Sequence, residues 1–253
     1  MQATILSDIP SSLVTPILDS VPFFANLGRS QPEQLRTLLR YCRLFEAEAG
    51  EEVTRKEDYD SWVYFSLRGQ LQVYGDTDTE NSPILSHIAP GEMFGAIAVL
   101  KGCVRSATVV ADPVCQHTVL LGMDYSPFGE LMDFRLINLE TKLHYYRMVL
   151  RVLAKHLVNL KIDFPDLANQ KKLPRFDLME KALVNRETLQ SLYNQAVKGA
   201  DILVAWNKVI ESVSPDSPSR AELQKAAIHA VDQILDAREE GKDIKSLVSD
   251  FTH

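Results

Sequence analysis

The stretch that decides the fold is Phe94-Gly95-Ala96-Ile97-Ala98-Val99-Leu100-Lys101-Gly102-Cys103-Val104-Arg105-Ser106-Ala107-Thr108-Val109-Val110. A strand ends just before it, at Pro90-Gly91. Phe94 to Leu100 is short and apolar and reads as one helical turn, and Gly102 supplies the stop. Arg105 then stands at the mouth of the next strand. The N-terminus of a helix carries unsatisfied N–H groups and the positive end of the helix dipole, which favour an anion. An Arg placed after the turn adds a planar fork of donors to the same anion. Ser106 or Thr108 offers a hydroxyl. The combination suits one phosphate. Spacing alone leaves a second reading open, a turn whose Arg pairs with a carboxylate of the protein.

On the N-terminal side, from about Arg43 to Gly122, the chain reads as short strands and turns. Trp62 to Leu67 (WVYFSL) is aromatic and β-branched and is followed by Arg68-Gly69 and QLQVYG, the pattern of a hairpin with glycine at its turn. ILSHIA follows a polar loop, Gly75 to Ser82, and SATVVA and HTVLLG are strand-like again. Such a series predicts a small antiparallel barrel or sandwich. Residues 1–42 read as helical. Leu35, Leu38, Leu39 and Cys42 fall on one face, with Ser30 as N-cap, Pro32 early in the helix and Glu33 at capping-box spacing.

Beyond Asp124 nothing reads as strand. Leu136, Leu139, Leu143, Tyr146, Leu150, Leu153, Leu157 and Leu160 step by three and four over 135–161, the seam of a self-associating long helix. The same spacing also suits packing on the chain's own domain, and Val149 and Val152 widen the stripe in that direction. Residues 162–176 carry two prolines and a basic pair and read as a linker. A helix is expected over roughly 177–212 and another over roughly 219–239, capped by Ser219 with Glu222. One apolar set runs from Leu183 to Ile210 through Trp206 and Val209, a second from Leu223 to Leu235, so this module expects protein contacts.

Composition sets the frame. The 253 residues are 45% hydrophobic and 24% charged, enough for a packed core. The net charge of −7 argues mildly against nonspecific nucleic-acid binding. Cys42, Cys103 and Cys115 show no CxxC spacing, which gives no disulfide or zinc framework and fits a reducing compartment. No apolar run approaches the roughly 20 residues of a membrane span, and no secretory pattern opens the chain, so a cytoplasmic protein is expected, without membrane partners. The six histidines are scattered, with no HxxxH or HExxH, so no metal site is expected. Asp76, Asp78 and Glu80 form a solvated turn, since Gly75 stands in the wrong place for a calcium loop. No GxSxG, Walker loop or GxGxxG occurs, and nothing marks an enzyme or a resident cofactor.

The segment FGAIAVLKGCVRSATVV resembles the phosphate-binding cassette of the cyclic nucleotide-binding domain family, found in CRP/FNR-like sensors and protein kinase A regulatory subunits. Gly50, Gly69 and the lead-in VPFFANL (Val21 to Leu27) resemble further family positions, and the likeness runs over roughly 20–160. The resemblance implies an α+β protein. An eight-stranded antiparallel β-barrel (jelly roll) with flanking helices would occupy 1–134, followed by a long dimerising or hinge helix at 135–161, the linker, and an all-α module at 177–253. It implies ligand contacts from Phe94, Gly95, Ala96, Ile97, Arg105, Ser106 and Ala107, with Ile97 and Leu100 relaying the signal to the long helix. The implied ligand is cyclic AMP, cyclic GMP or a cyclic dinucleotide, and the implied assembly is a homodimer.

Two positions depart from the pattern. The family's glutamate, which accepts a hydrogen bond from the ribose 2′-hydroxyl, is Ala96 here. Loss of one charge-assisted hydrogen bond costs about 1.5–3 kcal/mol, roughly 10- to 150-fold in affinity. The glycine ahead of the acidic residue before the first hairpin is Glu57, followed by Asp58. The phosphate half of the site is thus retained and the ribose half is changed, which leaves weak binding, another phosphorylated messenger, or a vestigial pocket kept as a scaffold. In the family's transcription factors a winged helix-turn-helix follows the long helix. Here residues 176–253 hold nine Lys and Arg against thirteen Asp and Glu, and no recognition-helix pattern is present, which argues against DNA. A transcription regulator with an atypical DNA-binding end stays as the alternative class.

Overall fold

The computed structural model describes residues 1–80, 82, 84–163, 176 and 183–211. The expected helix at 219–239, residues 164–175 of the linker and the second apolar set lie outside the described residues, and residues 162 and 163, read as linker, continue the long helix instead. Contacts divide the chain into two compact units, residues 1–148 with 181–190 and residues 149–180 with 191–253.

The first unit opens with β1 (Gln2–Ile5), then α1 (Ser11–Ser20), α2 (Pro22–Ser30) and α3 (Pro32–Leu39). The strands that follow are β2 (Cys42–Glu48), β3 (Glu52–Thr54), β4 (Trp62–Arg68), β5 (Leu71–Tyr74), β6 (Ile84–Ile88) and β7 (Met93–Phe94). After the short helix α4 (Ala96–Lys101) come β8 (Thr108–Ala111) and β9 (His117–Asp124). All pairings are antiparallel and form two sheets, β1-β2-β9-β4-β7 and β3-β8-β5-β6. Phe45, Tyr64 and Leu120 from the first sheet and Val53, Leu71 and Val109 from the second share one buried cluster. The core therefore lies between the sheets, where each buried large apolar side chain contributes about 1.5–3 kcal/mol. Of the expected eight-stranded jelly-roll barrel, the described residues show antiparallel strands, nine of them in two sheets, with no closed barrel among these residues.

Four local expectations change. Residues 2–5 are a strand, because β1 pairs in full register with Arg43–Glu46 of β2. Ser30 ends α2 and donates its hydroxyl to the Asn26 carbonyl, while Gln31 is the residue that precedes Pro32 at the start of α3. Cys42 begins β2 and lies off the helix face. The fourth change concerns WVYFSL and QLQVYG, which do not pair. Trp62–Arg68 runs between β9 and β7 in one sheet, and Leu71–Tyr74 between β6 and β8 in the other. Gly69, with φ 80°, carries the chain from one sheet to the other so close to β9 that a Cβ there would lie 2.6 Å from Thr118 Oγ1. An apolar strand pair with glycine between looks the same from sequence whether the turn folds back or crosses over.

The long helix α5 (Leu139–Asp163) starts three residues after Leu136, which is exposed in the preceding turn. Asn138 caps it, its Oδ1 accepting the Thr141 N–H at 2.8 Å. The same residue binds Gln34 Oε1 through its N–H and Gln31 Oε1 through its side-chain amide, which ties the start of α5 to α3. Lys142 is buried and donates to the carbonyls of Phe128, Glu130 and Leu131 at 2.5, 2.6 and 3.2 Å. Burial lowers the Lys142 pKa, and the three carbonyls supply the hydrogen bonds that water would otherwise give it. Leu143, Tyr145, Tyr146, Val149, Leu150, Leu153 and Leu157 are all buried in the single chain. Leu139 is half-buried, and of Leu160 only the helical backbone is described. The helix thus lacks a narrow free seam over 143–157.

The last described helix, α6 (Arg186–Glu211), starts later than the expected 177. Asn185 caps it, its Oδ1 taking the Thr188 N–H at 2.7 Å. Gly199 faces the Phe176 ring so closely that a Cβ would sit 2.7 Å from its Cζ, with Leu153 of α5 at 3.3 Å. The glycine inside KGADILVAW is therefore a packing residue. Among the described residues no helix is long and apolar enough to cross a membrane.

Candidate functional site

The cassette is assembled from two turns that meet backbone to backbone. The Glu57 N–H donates to the Arg105 carbonyl at 2.9 Å, and the Arg105 N–H donates to the Asp58 carbonyl at 2.8 Å. This locks the β3–β4 turn against the approach to β8. Glu57, standing where the family has glycine, keeps the left-handed conformation at φ 72°. A non-glycine residue there costs about 1–2 kcal/mol.

Gly95 precedes α4 with φ 83°. A Cβ at this position would lie 2.5 Å from Arg105 Nη1 and 2.9 Å from the Trp62 carbonyl. Glycine is required here on two counts, the backbone conformation and the guanidinium packed against it. Phe94 stacks on Tyr64, ring centroids 5.1 Å apart and 16° from parallel. Ala96 and Leu100 are buried in α4, and Ile97 is half-buried. Ser106 is exposed and Ala107 half-buried. The structure therefore brings Arg105 into hydrogen bond with Gly95, sets Phe94 against the same Tyr64 ring that Arg105 faces, and leaves Ser106 exposed. The main packing partner of α4 is β4.

Arg105 is only 4% exposed. Its Nε donates to Asp60 Oδ2 at 2.8 Å, Nη2 donates to Asp60 Oδ1 and to the Trp62 carbonyl at 2.6 Å, and Nη1 donates to the Gly95 carbonyl at 2.9 Å. The guanidinium lies over the Tyr64 ring, 5.8 Å from its centroid. Four of its five N–H donors are thus engaged by the protein. Burial, with Asp60 adding to it and Arg105 opposing, pushes the Tyr64 phenol well above its usual range. Arg105 is thus paired with a carboxylate of the protein in a buried setting.

Asp60 is the partner of Arg105 that sequence reading misses. The resemblance points to Glu57 and Asp58, the first acidic pair before the strand, whereas the turn carries the chain round so that Asp60 faces the guanidinium. Its Oδ1 also accepts the Trp62 N–H at 2.8 Å, a local turn bond of the kind Asp makes two residues ahead. That Asp-x-Trp spacing was the available signal. The hollow of about 550 Å³ at the N-terminus is lined by Leu6, Asp8, Ile9, Pro10, Ser11 and Val14, and not by cassette residues. Among the described residues no cluster of metal-ligating side chains occurs.

The first unit thus combines two antiparallel sheets around an aromatic core with a glycine-started helical turn and a buried arginine. Residues 44–133 match the family model of the cyclic nucleotide-binding domain, and the chain carries that domain over this stretch. Similar solved structures include the regulatory subunit of a cAMP-independent protein kinase A from Trypanosoma brucei, at 25% identity over 46% of this chain and 41% of that one, TM-score 0.38. The sensor domain of the transcriptional regulator DNR from Pseudomonas aeruginosa is 22% identical over 43% of this chain and 72% of that one, TM-score 0.35. A cyclic nucleotide-binding domain from Methylobacillus flagellatus is 16% identical over 57% and 75%, TM-score 0.43. The chain thus spans less than half of the Trypanosoma subunit it matches. Comparison with curated protein sequences finds no match.

Proposed function

We propose that this chain is a non-enzymatic regulatory protein. Its cyclic nucleotide-binding domain takes a cyclic-nucleotide-type ligand at the cassette, Phe94 to Ala107, with the ligand phosphate drawn to Arg105. The observation that carries this reading is the cassette itself: Gly95 and Arg105, ten residues apart, are brought into hydrogen bond inside a domain of the matching family. Ala96 offers the ribose no carboxylate, so cyclic AMP and cyclic GMP bind weakly and a cyclic dinucleotide stays in the panel. Ile97 and Leu100 shift with α4, and the signal reaches α5 and the C-terminal region, which contacts a protein partner in the cytoplasm. A homodimer would use the outer face of α5, where Val158 and Ile162 are exposed, because Leu143 to Leu157 are taken up within one chain. Differential affinity of the ligand for two positions of α4 is the only energy source for such a switch.

A second reading is favoured by the Asp60–Arg105 pair. A guanidinium with four of its five donors engaged by the protein can serve as a structural pin in a ligand-free scaffold.

A thermal-shift panel on the full chain separates the two, with cyclic AMP, cyclic GMP, cyclic di-AMP and cyclic di-GMP. Ligand at 100 times its Kd adds about 2.7 kcal/mol, a shift of several degrees. Arg105→Lys is the control, since it keeps the charge opposite Asp60 and loses the planar fork. A shift in the wild type that is lost in a folded Arg105→Lys supports the sensor. No shift with any of the four at millimolar concentration overturns it in favour of the scaffold.

A further inference from the structure

We propose that Phe134 couples α5 to α6, so that the 129–138 segment ahead of α5 also sets the position of α6; only the ligand-driven use of this coupling rests on the sensor reading above. The first turns of the two helices meet on this one ring. Lys142, the fourth residue of α5, has its Nζ over the Phe134 ring, 5.5 Å from the centroid. Arg186, the first residue of α6, has its Cζ over the same ring at 5.4 Å. Leu189, in the next positions of α6, is fully buried. Residues 186–190 of α6 belong to the first unit and the rest of the helix to the second. Phe134 and Arg186 both lie beyond the stretch that matches the family model, 44–133, so the matched domain does not supply this contact.

Local chemistry does not account for Arg186. A helix N-terminus is the positive end of the dipole, where a carboxylate is favoured and a cation is not. Among the described residues Arg186 makes no ion pair. The face of an aromatic ring supplies what the helix end withholds, the negative lobe of its quadrupole. The ring itself is presented by a segment tied down along its length. Lys142 is held by the carbonyls of Phe128, Glu130 and Leu131. Asp133 and Arg135, on either side of Phe134, are bound to each other through both carboxylate oxygens. Asn138 joins the segment to α5 and to α3. A displacement of this segment carries the ring with it, and Arg186 follows the ring. Phe134 is thereby a positioning residue for the start of α6.

The test is hydrogen exchange by mass spectrometry on the full chain, read in peptides over 183–192, where the Leu189 N–H closes the first turn of α6 on the Asn185 carbonyl at 3.2 Å. Phe134→Leu keeps an apolar side chain and removes the ring face. It is expected to speed exchange there by roughly 2- to 5-fold, the worth of a cation–π contact with an exposed arginine, with β4 and β9 unchanged. Arg186→Gln is expected to act differently in the two backgrounds, by the same factor. With the ring present it forfeits the contact, and in Phe134→Leu it only relieves the dipole and slows exchange. Arg186→Lys, which keeps a cation for the ring, is expected to exchange as the wild type does. An effect of Arg186→Gln that is the same in both backgrounds, or equal exchange in Arg186→Lys and Arg186→Gln, overturns the coupling. Where Phe134→Leu also loosens the sheets, the comparison of Arg186→Lys with Arg186→Gln, made at an exposed side chain, decides alone. A cyclic nucleotide that binds in the thermal-shift panel is expected to change exchange over 183–192 in the wild type and not in the folded Phe134→Leu; a change that persists there overturns the coupling as the ligand's route. A panel without a binder removes the sensor reading, and the ligand-free comparisons still decide the coupling.

Discussion

Replacing Arg105 by Ala removes the fork that holds Asp60, the carbonyls of Gly95 and Trp62, and the face of Tyr64 at once. Loss of one partner of a buried ion pair costs about 3–5 kcal/mol, because the other charge is left without compensation. Here Asp60 keeps 28% exposure and can be hydrated in part, which places the expected loss near the lower end, about 3 kcal/mol. Two carbonyls left without a donor add to this. Asp60→Asn keeps the shape and removes the charge, so it is expected to cost less, about 1–3 kcal/mol. If the two residues act as a pair, the double variant costs less than the sum, with a coupling of about 1–3 kcal/mol. Urea unfolding measures all four corners. Because two units need not unfold together, the probe has to report the sheets, and Trp62 fluorescence in a Trp206→Phe background does so. A loss below about 1 kcal/mol for Arg105→Ala, or a coupling near zero, would refute the reasoning. It would mean that the pair is loose in solution and that the guanidinium stands ready for a ligand.

Two further outcomes follow from the same physics. Glu57→Gly relieves a left-handed non-glycine position worth about 1–2 kcal/mol, against a greater loss of chain entropy of about 0.4–1 kcal/mol, so a net stabilisation of about 0.5–1 kcal/mol is expected in urea titration; a destabilised variant contradicts the strain at this turn. Cys42 is buried, and burial pushes its thiol up to about 12, from an ordinary value near 9. A group raised in the folded state ionises first in the unfolded chain, so stability is full below pH 9 and is lost as the pH rises from there towards 12. Titration with a thiol reagent at about pH 8 is expected to label Cys103 and Cys115 in the native protein and Cys42 only on unfolding; three equally fast thiols would show that β2 is open.

Much of this was legible in the residues. The short helix after Phe94-Gly95, the stop at Gly102, the strands at Thr108 and His117 and the helical lead-in at Pro22 rest on local chemistry: glycine's backbone freedom, apolar runs and the early proline. The long helix also announced itself by period, because apolar residues stepping by three and four over 25 residues suit a helix and no strand, whose faces alternate every second residue. Its partner did not. Spacing states which residues share a face, and either a second copy or the chain's own body can cover that face.

What the sequence by itself determined is therefore the short helix after Gly95 and the strands that flank it, since each rests on bonds and propensities within a few residues. Pairing between distant turns was decided only by the tertiary structure. Whether QLQVYG folds back on WVYFSL or crosses to the other sheet depends on Thr118 standing against Gly69, 49 positions away. Which of three neighbouring carboxylates meets Arg105 depends on the direction in which the β3–β4 turn carries the chain, fixed by two backbone hydrogen bonds to Arg105 itself. Glu57, Asp58 and Asp60 carry the same charge within one short turn. Position in space separates them, and it puts the buried arginine in the hands of the last.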